Sequence, residues 1–505
     1  MSTKTAEKQS NADFASELAE RQFSLFSNQY NQSYASLINE TARINVPIYG
    51  PEFQCYLRDG YFQTTGHSLR PNDVKQAQDH LATKAKFSGN KYVVNRRYSF
   101  DTQKLELFID KCDDACTVLH LKDGKISSMT QAEALVDFSF DENMKSSPDY
   151  FADKGDWQLI SKYINLANEQ MYPLLLAQIG QMMVRMGPYV MACFVGQAGS
   201  GKSEAAKFIL SLVDPSNNPM QTSVGNEKDI AIAVQNTVVL GFDNVEPFSK
   251  AESNILCRLL TGAGIRTRKL FTDNAEIVLH ACSPVIVTSI DQPIRTDDLM
   301  DRSITYTFSR IPDNRRMTEK ELAASLEVDK HLIFSAILDM VALALNHFDS
   351  LQIESLPRMA DFAKFACACA PYFGLTSQQM LQLYASSQQE MVADVADDSP
   401  FIRAVHRLVS RKQDAWHGNA TELLKELEFA PEVVQKGWPQ SSIAAGKLLT
   451  RYSEVLNKLG IDVEKIERHR RQVRLSKLPH FQPAEEIETP KPNIRRLSAN
   501  DKNAE

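Results

Sequence analysis

Hydrophobic and polar positions divide the chain into stretches of different period. Residues 1–40 are mostly polar, which predicts a frayed and largely disordered leader. Between residues 41 and 150 short apolar runs alternate with polar turns. Residues 92–94, 105–109 and 117–121 have the residue types of strands, and Lys122-Asp123-Gly124-Lys125 between apolar stretches is a hairpin signal. This stretch is expected to be a small mixed α/β domain. From 157 to 187 the apolar spacing becomes helical, through Leu159, Tyr163, Leu166, Met171 and Leu175. Residues 189–195 are then continuously apolar, as in a strand buried on both faces of a parallel sheet. Residues 230–234, 237–242 and 285–288 are further strand-like runs. Strands alternating with helices predict a parallel sheet with flanking helices over residues 151–312.

Beyond Pro312 the pattern predicts a helical extension over 313–395. Its most apolar part, 331–348, contains Ser335, Asp339 and Asn346 and reads as a buried helix, not a membrane span. Asp397, Asp398 and Pro400 mark a boundary before a compact unit at 401–478. The tail, 479–505, is rich in Pro, Glu, Lys and Asn and is expected to be disordered.

A net charge of -7 argues against a generally basic nucleic-acid coat, though not against a local basic surface. The 8 cysteines form no CxxC pair, so neither a zinc site nor a disulfide framework is expected. Asp110, Asp113 and Asp114 beside Cys112 and Cys116 read better as solvated loop residues than as metal ligands. The polar N-terminus carries no apolar signal segment, which predicts a cytoplasmic protein.

The sharpest chemical signal is Gly196-Gln197-Ala198-Gly199-Ser200-Gly201-Lys202-Ser203, with Glu204 following. It matches GxxxxGK[ST], follows a predicted strand and opens a predicted helix, 202–213. The glycines let backbone N–H groups turn toward phosphates, and the helix N-terminus adds its positive end. Lys202 would reach the β and γ phosphates of ATP, and the Ser203 hydroxyl would bind Mg²⁺. A second metal ligand is expected in Asp243, which ends the apolar run from Thr237 and fits a Walker B element. The glutamate usual after it is replaced by Asn244. If the strand continues, Glu246 shares a face with Asn244. Either Glu246 polarises the attacking water or hydrolysis is slow.

Arg266, Arg268 and Lys269 follow a glycine turn and fit a loop contacting a nucleic-acid backbone; the alternative is a solvated charged hairpin. Thr288, at the end of a strand, suits a sensor touching the γ-phosphate or the attacking water. Arg302 could reach a neighbouring subunit's γ-phosphate, with Arg295 a weaker candidate; the alternative for Arg302 is an ion pair with a local aspartate.

This order of elements resembles superfamily 3 and poxvirus-type primase-helicases. It resembles more closely the ATP-binding proteins of plasmids, prophages and other mobile elements. The matching stretches are 196–215, 242–245, 256–262, 268–273, 298–303 and 356–363, within a likeness spanning about 45–475. The resemblance implies an AAA+-type ATPase that forms a homo-oligomeric ring, with a hairpin facing nucleic acid in the channel. Two departures bear on efficiency: Thr288 stands where the family often has Asn, and Ala263 replaces the second glycine of a Thr-Gly-Gly turn.

The C-terminal unit looks like a winged helix. Ser441 or Ser442 would cap a helix running to about Lys458, and Arg470, Arg471 and Arg474 lie on an alternating, wing-like segment suited to duplex DNA. An oligomer-packing module is the alternative. The overall expectation is an α/β P-loop NTPase with a small N-terminal α/β domain and a winged-helix-like C-terminal domain. Its leading function is a helicase-like, DNA-dependent ATPase for mobile-element replication. A nucleotide-controlled switch or assembly ATPase in mobile-element conflict or host defence is the second reading, and a winged-helix regulator the third.

Overall fold

A computed structural model describes residues 10–478, apart from 88, 218–219, 269–275, 280–281, 313–317, 436 and 468–471. Helix Asn11–Gln22 starts at Ser10, whose Oγ accepts from the Asp13 N–H at 3.1 Å. Strands Ser24–Asn28, Ser33–Ile38 and Arg43–Pro47 follow, so the polar leader expected through residue 40 is corrected from residue 10 onward. The helix is hard to see in the sequence because its buried stripe, Ala12, Ala15, Ser16 and Ala19, is made of small residues at helical spacing. That stripe belongs to a core with Phe23, Val46, Phe53 and Leu81, contributed also by helices Pro51–Thr65 and Pro71–Phe87.

Strands Tyr98–Asp101, Glu106–Asp110, Thr117–Lys122 and Lys125–Thr130 form an antiparallel meander. The last two join through Asp123 and Gly124, both left-handed at φ 49° and 71°, the geometry of a two-residue hairpin turn. The meander does not share the N-terminal core. Its Tyr98, Leu107, Ile109, Leu119 and Leu121 pack into the main core, which runs through helix Tyr172–Val184 and the central sheet to Tyr384. The cores therefore divide before residue 98 and not near residue 150.

The central sheet is wholly parallel, with strand Leu240–Phe242 beside Val285–Ser289, then Met191–Val195, then Ser303–Thr307. The strand expected at 230–234 is instead part of helix Glu227–Asn236. A short apolar run is ambiguous between strand and helix, and the Asn226 side chain decides it by capping the N–H groups of Lys228 and Asp229. The strand expected at 237–242 shortens to Leu240–Phe242, because the preceding helix ends only at Asn236. Helices Glu319–His347, Ala360–Cys369 and Ser377–Asp397 complete this part, the first two supplying Phe334, Val341, Phe362 and Phe365 to the same core. Among the described residues no helix is long and apolar enough to cross a membrane.

A second compact unit begins at Ala396. Its order is helix Pro400–Arg411, strand Trp416–Gly418, helices Ala420–Glu426, Ser442–Arg451 and Ser453–Lys458, then strands Ile461–Glu467 and Gln472–Lys477. The three strands pair antiparallel, with Gln472–Lys477 in the middle. Ser441 caps its helix by accepting from the Ala444 N–H at 3.2 Å. The helix expected to reach Lys458 breaks at Tyr452 into two pieces.

Candidate functional site

The central strands all run one way, so their carboxyl ends form one edge, where open α/β sheets place their ligands. Strand Met191–Val195 delivers the chain there between two neighbours, with Val195 opposite Ser289 on one side and Thr307 on the other. The chain then turns through residues 196–201 into helix Lys202–Val213. Glycine is required at both ends of the turn. A Cβ on Gly196 would meet the Phe308 carbonyl oxygen at 2.6 Å, and Gly201 opens the helix with φ 84°, a left-handed conformation. Gln197, Ala198 and Gly199 are exposed at the tip, and Ser200 is buried.

The Lys202 ammonium is folded back onto this turn. Its Nζ donates to the carbonyls of Gly196 at 2.5 Å and Gln197 at 3.0 Å, and to Ser200 Oγ at 3.3 Å. Burial lowers its pKa from the ordinary lysine value, with the nearby Asp243 carboxylate acting in the opposite direction. Ser203 Oγ donates to Asp243 Oδ1 at 2.6 Å across 40 residues of chain. Thr288 Oγ1 donates to the same oxygen at 2.6 Å and accepts the Asn244 N–H at 2.8 Å. Strand order explains this convergence. The strand ending in Thr288 and Ser289 lies between the glycine-turn strand and the strand leading to Asp243, so its hydroxyl can reach the carboxylate.

Two sequence expectations change at this edge. The strand stops at Phe242 and Asn244 takes a left-handed φ of 51°, so Glu246 does not share a strand face with Asn244. Both side chains are exposed. Thr288 is committed to Asp243 and to the backbone of Asn244. Glu204 lies on the solvent side of its helix, paired with Lys207 at 2.8 Å.

Arg302 is placed elsewhere. It precedes strand Ser303–Thr307, whose first residue lies beside Met191 and whose last lies beside Val195. It therefore sits at the sheet edge opposite the glycine turn. Arg302 pairs with the Asp298 carboxylate and donates to the Asp298 carbonyl at 2.7 Å. Arg358 bridges Asp298 at 2.5 Å and Asp301 at 2.8 Å. Burial alone would raise the Asp298 pKa, but Arg302 and Arg358 hold it below the ordinary carboxylate value.

Arg266 and Arg268 lie on strand Ile265–Arg268, paired antiparallel with Glu276–Leu279. Lys269 lies outside the described residues, as do Arg470 and Arg471. Arg474 lies on the middle strand of the C-terminal sheet, 3.5 Å from Glu464 across the ladder. The acids near Cys112 serve the local turn. Asp110 accepts from Cys112 N–H and Gln131 at 3.0 Å each, and Asp113 pairs with Lys111 at 3.1 Å. Among the described residues no group of three or more His, Cys, Asp or Glu side chains could hold a metal.

Sequence reasoning missed Arg97 and Asp214. Arg97 is fully buried, and its guanidinium donates to Asp214 at 3.4 Å, Ser147 Oγ at 2.8 Å, and the carbonyls of Lys145 at 2.9 Å and Pro215 at 3.1 Å. Asp214 ends the helix begun by Lys202, and its other oxygen accepts the Val238 N–H at 2.6 Å. Nothing in the local Asn-Arg-Arg-Tyr sequence signals a buried cation.

Residues 157–398 match the family described as actinomycete integrative conjugative element replication protein. Residues 401–491 match the C-terminal domain of the same replication protein. No curated protein matches the chain. Among solved structures, the NrS-1 C-terminal region aligns at 10% identity over 94% of this chain and 100% of that one, with a TM-score of 0.38. JCV helicase aligns at 12% identity over 44% of this chain and 65% of that one, with a TM-score of 0.24.

Proposed function

We propose, from the match of residues 157–398 and 401–491 to the replication-protein family of actinomycete integrative conjugative elements, that the chain is a helicase-like, DNA-dependent ATPase of that family. The observation that carries this reading is the meeting of Ser203 and Asp243 at 2.6 Å beside Lys202 at the carboxyl edge of the sheet. On this reading the turn at 196–203 is a P-loop. Its N–H groups and the positive end of helix Lys202–Val213 receive the phosphates of ATP. Lys202 exchanges its carbonyl partners for the β and γ phosphates. The Ser203 hydroxyl and Asp243 carboxylate are hard oxygen donors of the kind that hold Mg²⁺ together with substrate phosphates. That ion, when bound, neutralises developing charge on the phosphoryl oxygens.

DNA is the proposed partner. Arg266 and Arg268, on the hairpin of Ile265–Arg268 and Glu276–Leu279, and Lys269 next in sequence would contact the backbone of a single strand. The C-terminal unit, with its helix–strand–helix–helix–helix–strand–strand order, is read as a winged helix for duplex DNA, using Arg470, Arg471 and Arg474. Arg302, at the far sheet edge, would serve a neighbouring subunit's nucleotide in a homo-oligomeric ring.

A second reading has support from one place. Asn244 cannot accept a proton from water, and Glu246 is exposed beyond the end of the strand. Both features favour slow turnover, as in a nucleotide-controlled assembly switch. Steady-state ATP hydrolysis, with and without single-stranded DNA at two salt concentrations, decides between the readings. Stimulation that fades with salt is expected for the DNA-dependent motor. Slow turnover indifferent to DNA would establish the switch. ATP binding and turnover unchanged in Lys202→Ala would remove both.

A further inference from the structure

We propose that Thr288 is a positioning residue for the metal ligand Asp243, and that it does not act as a contact for the γ-phosphate. The proposal rests on the nucleotide-site reading above and concerns a different residue and a different observable. Thr288 is 1% exposed, so its hydroxyl has no water to turn toward. It is β-branched, which leaves its χ1 few choices. Its single hydroxyl is engaged in both senses, donating to Asp243 Oδ1 at 2.6 Å and accepting from the Asn244 N–H at 2.8 Å. A hydroxyl has one proton to give, so while it serves Asp243 it has none for a phosphate oxygen.

The backbone repeats the attachment. The Val245 N–H donates to the Thr288 carbonyl at 2.8 Å, and Ser289 Oγ donates to the Val245 carbonyl at 2.8 Å. Four hydrogen bonds thus tie the end of strand Val285–Ser289 to residues 243–245, where Asn244 is held at φ 51°. A left-handed residue persists when its surroundings over-determine it. The turn directly after Asp243 fixes the direction in which the carboxylate leaves the backbone.

The hydroxyls of Ser203 and Thr288 converge on Oδ1, and Oδ2 takes no hydrogen bond among the described residues. With Ser203 and Asp243 as the residues that would hold Mg²⁺, the Thr288 hydroxyl on Oδ1 would keep the carboxylate plane aimed. This is the work of a group that orients a ligand without touching the metal. An asparagine at this position is longer and offers two N–H donors, so it could serve carboxylate and phosphate together; the threonine serves the carboxylate alone.

The test is the Mg²⁺ dependence of equilibrium binding of a fluorescent ATP analogue to the full chain, with a parallel titration in EDTA. Thr288→Val is expected to leave metal-free binding unchanged and to raise the half-saturating Mg²⁺ concentration roughly 10- to 100-fold. Thr288→Ser, which keeps the hydroxyl, is expected to stay near the parent value. Should Thr288→Val not fold, Thr288→Ala assayed in the cold carries the same expectation. An unchanged Mg²⁺ midpoint in the folded variant, or loss of metal-free binding with the midpoint retained, would overturn the positioning role. Absence of binding by the parent chain would instead remove the nucleotide-site reading itself.

Discussion

Lys202 shows how one side chain links burial to ligand chemistry. Its ammonium is sheltered among carbonyl oxygens, and that desolvation lowers its pKa. Phosphates favour the charged form, so binding ATP draws a proton onto Lys202 when the free protein has begun to lose it. ATP affinity is therefore expected to fall as pH rises through the lowered lysine pKa, and to level off below it. Isothermal titration in buffers of different ionisation enthalpy should show proton uptake that grows as pH rises through the lowered lysine pKa. In Lys202→Ala the uptake should vanish with the affinity.

Arg97 makes a separate prediction at this scale. With Asp214 it forms a pair whose side chains are 0% and 3% exposed. Removing one partner of such a pair leaves an uncompensated buried charge, at a cost of about 3–5 kcal/mol. Arg97→Met and Asp214→Asn should each destabilise the fold by that order in denaturant titration, while the double variant should recover part of the loss. Full additivity of the two single effects would contradict the pairing.

Elements differ in how openly the sequence declares them. Helix Lys202–Val213 and strand Val285–Ser289 coincide with their sequence signals because a glycine turn and a polar stop punctuate them. Helix Asn11–Gln22 carries no such signal, since alanine and serine can make a buried face without any large apolar side chain to mark it. The run Ile230–Ala231–Ile232–Ala233–Val234 could be strand or helix by composition, and the Asn226 cap one turn earlier resolves it. The hairpin of Ile265–Arg268 with Glu276–Leu279 belongs to a third kind, where sequence and backbone agree on form and leave the task open. Arg268→Ala with Lys269→Ala is expected to remove DNA stimulation, sparing basal ATP turnover and reducing the salt slope of DNA binding. Stimulation that persists would make the hairpin a solvated surface feature.

At the scale of the whole molecule, the division of cores governs which pieces stand alone. The unit from Ala396 has its own buried residues, including Phe401, Val405, Leu423, Leu449 and Leu475. The meander of residues 98–130 has only a small cluster of its own, around Val118 and Phe138, because Leu107, Ile109 and Leu121 on its other face pack with the central helices. A fragment of residues 396–505 is therefore expected to fold by itself, with a cooperative thermal transition in circular dichroism. A fragment starting at residue 151 is expected to aggregate during size-exclusion chromatography, since it uncovers the surface the meander occupies. A soluble, cooperative fragment from 151 would show the meander to be an accessory.

Local periodicity and short-range motif spacing were enough to specify the glycine turn, its helix, the buried strand before it, the two-residue hairpin at Asp123-Gly124 and the candidacy of Asp243. Each depends on residues within a few positions of one another, where backbone geometry is set by side-chain type alone. Only the tertiary structure decided that Ser203, Asp243 and Thr288 converge, that Arg302 lies at the opposite sheet edge in an aspartate pair, and that Arg97 closes on Asp214. Those facts follow from strand order and from which faces are buried together. Both join residues far apart in the chain, and no local pattern encodes the partner that burial will supply.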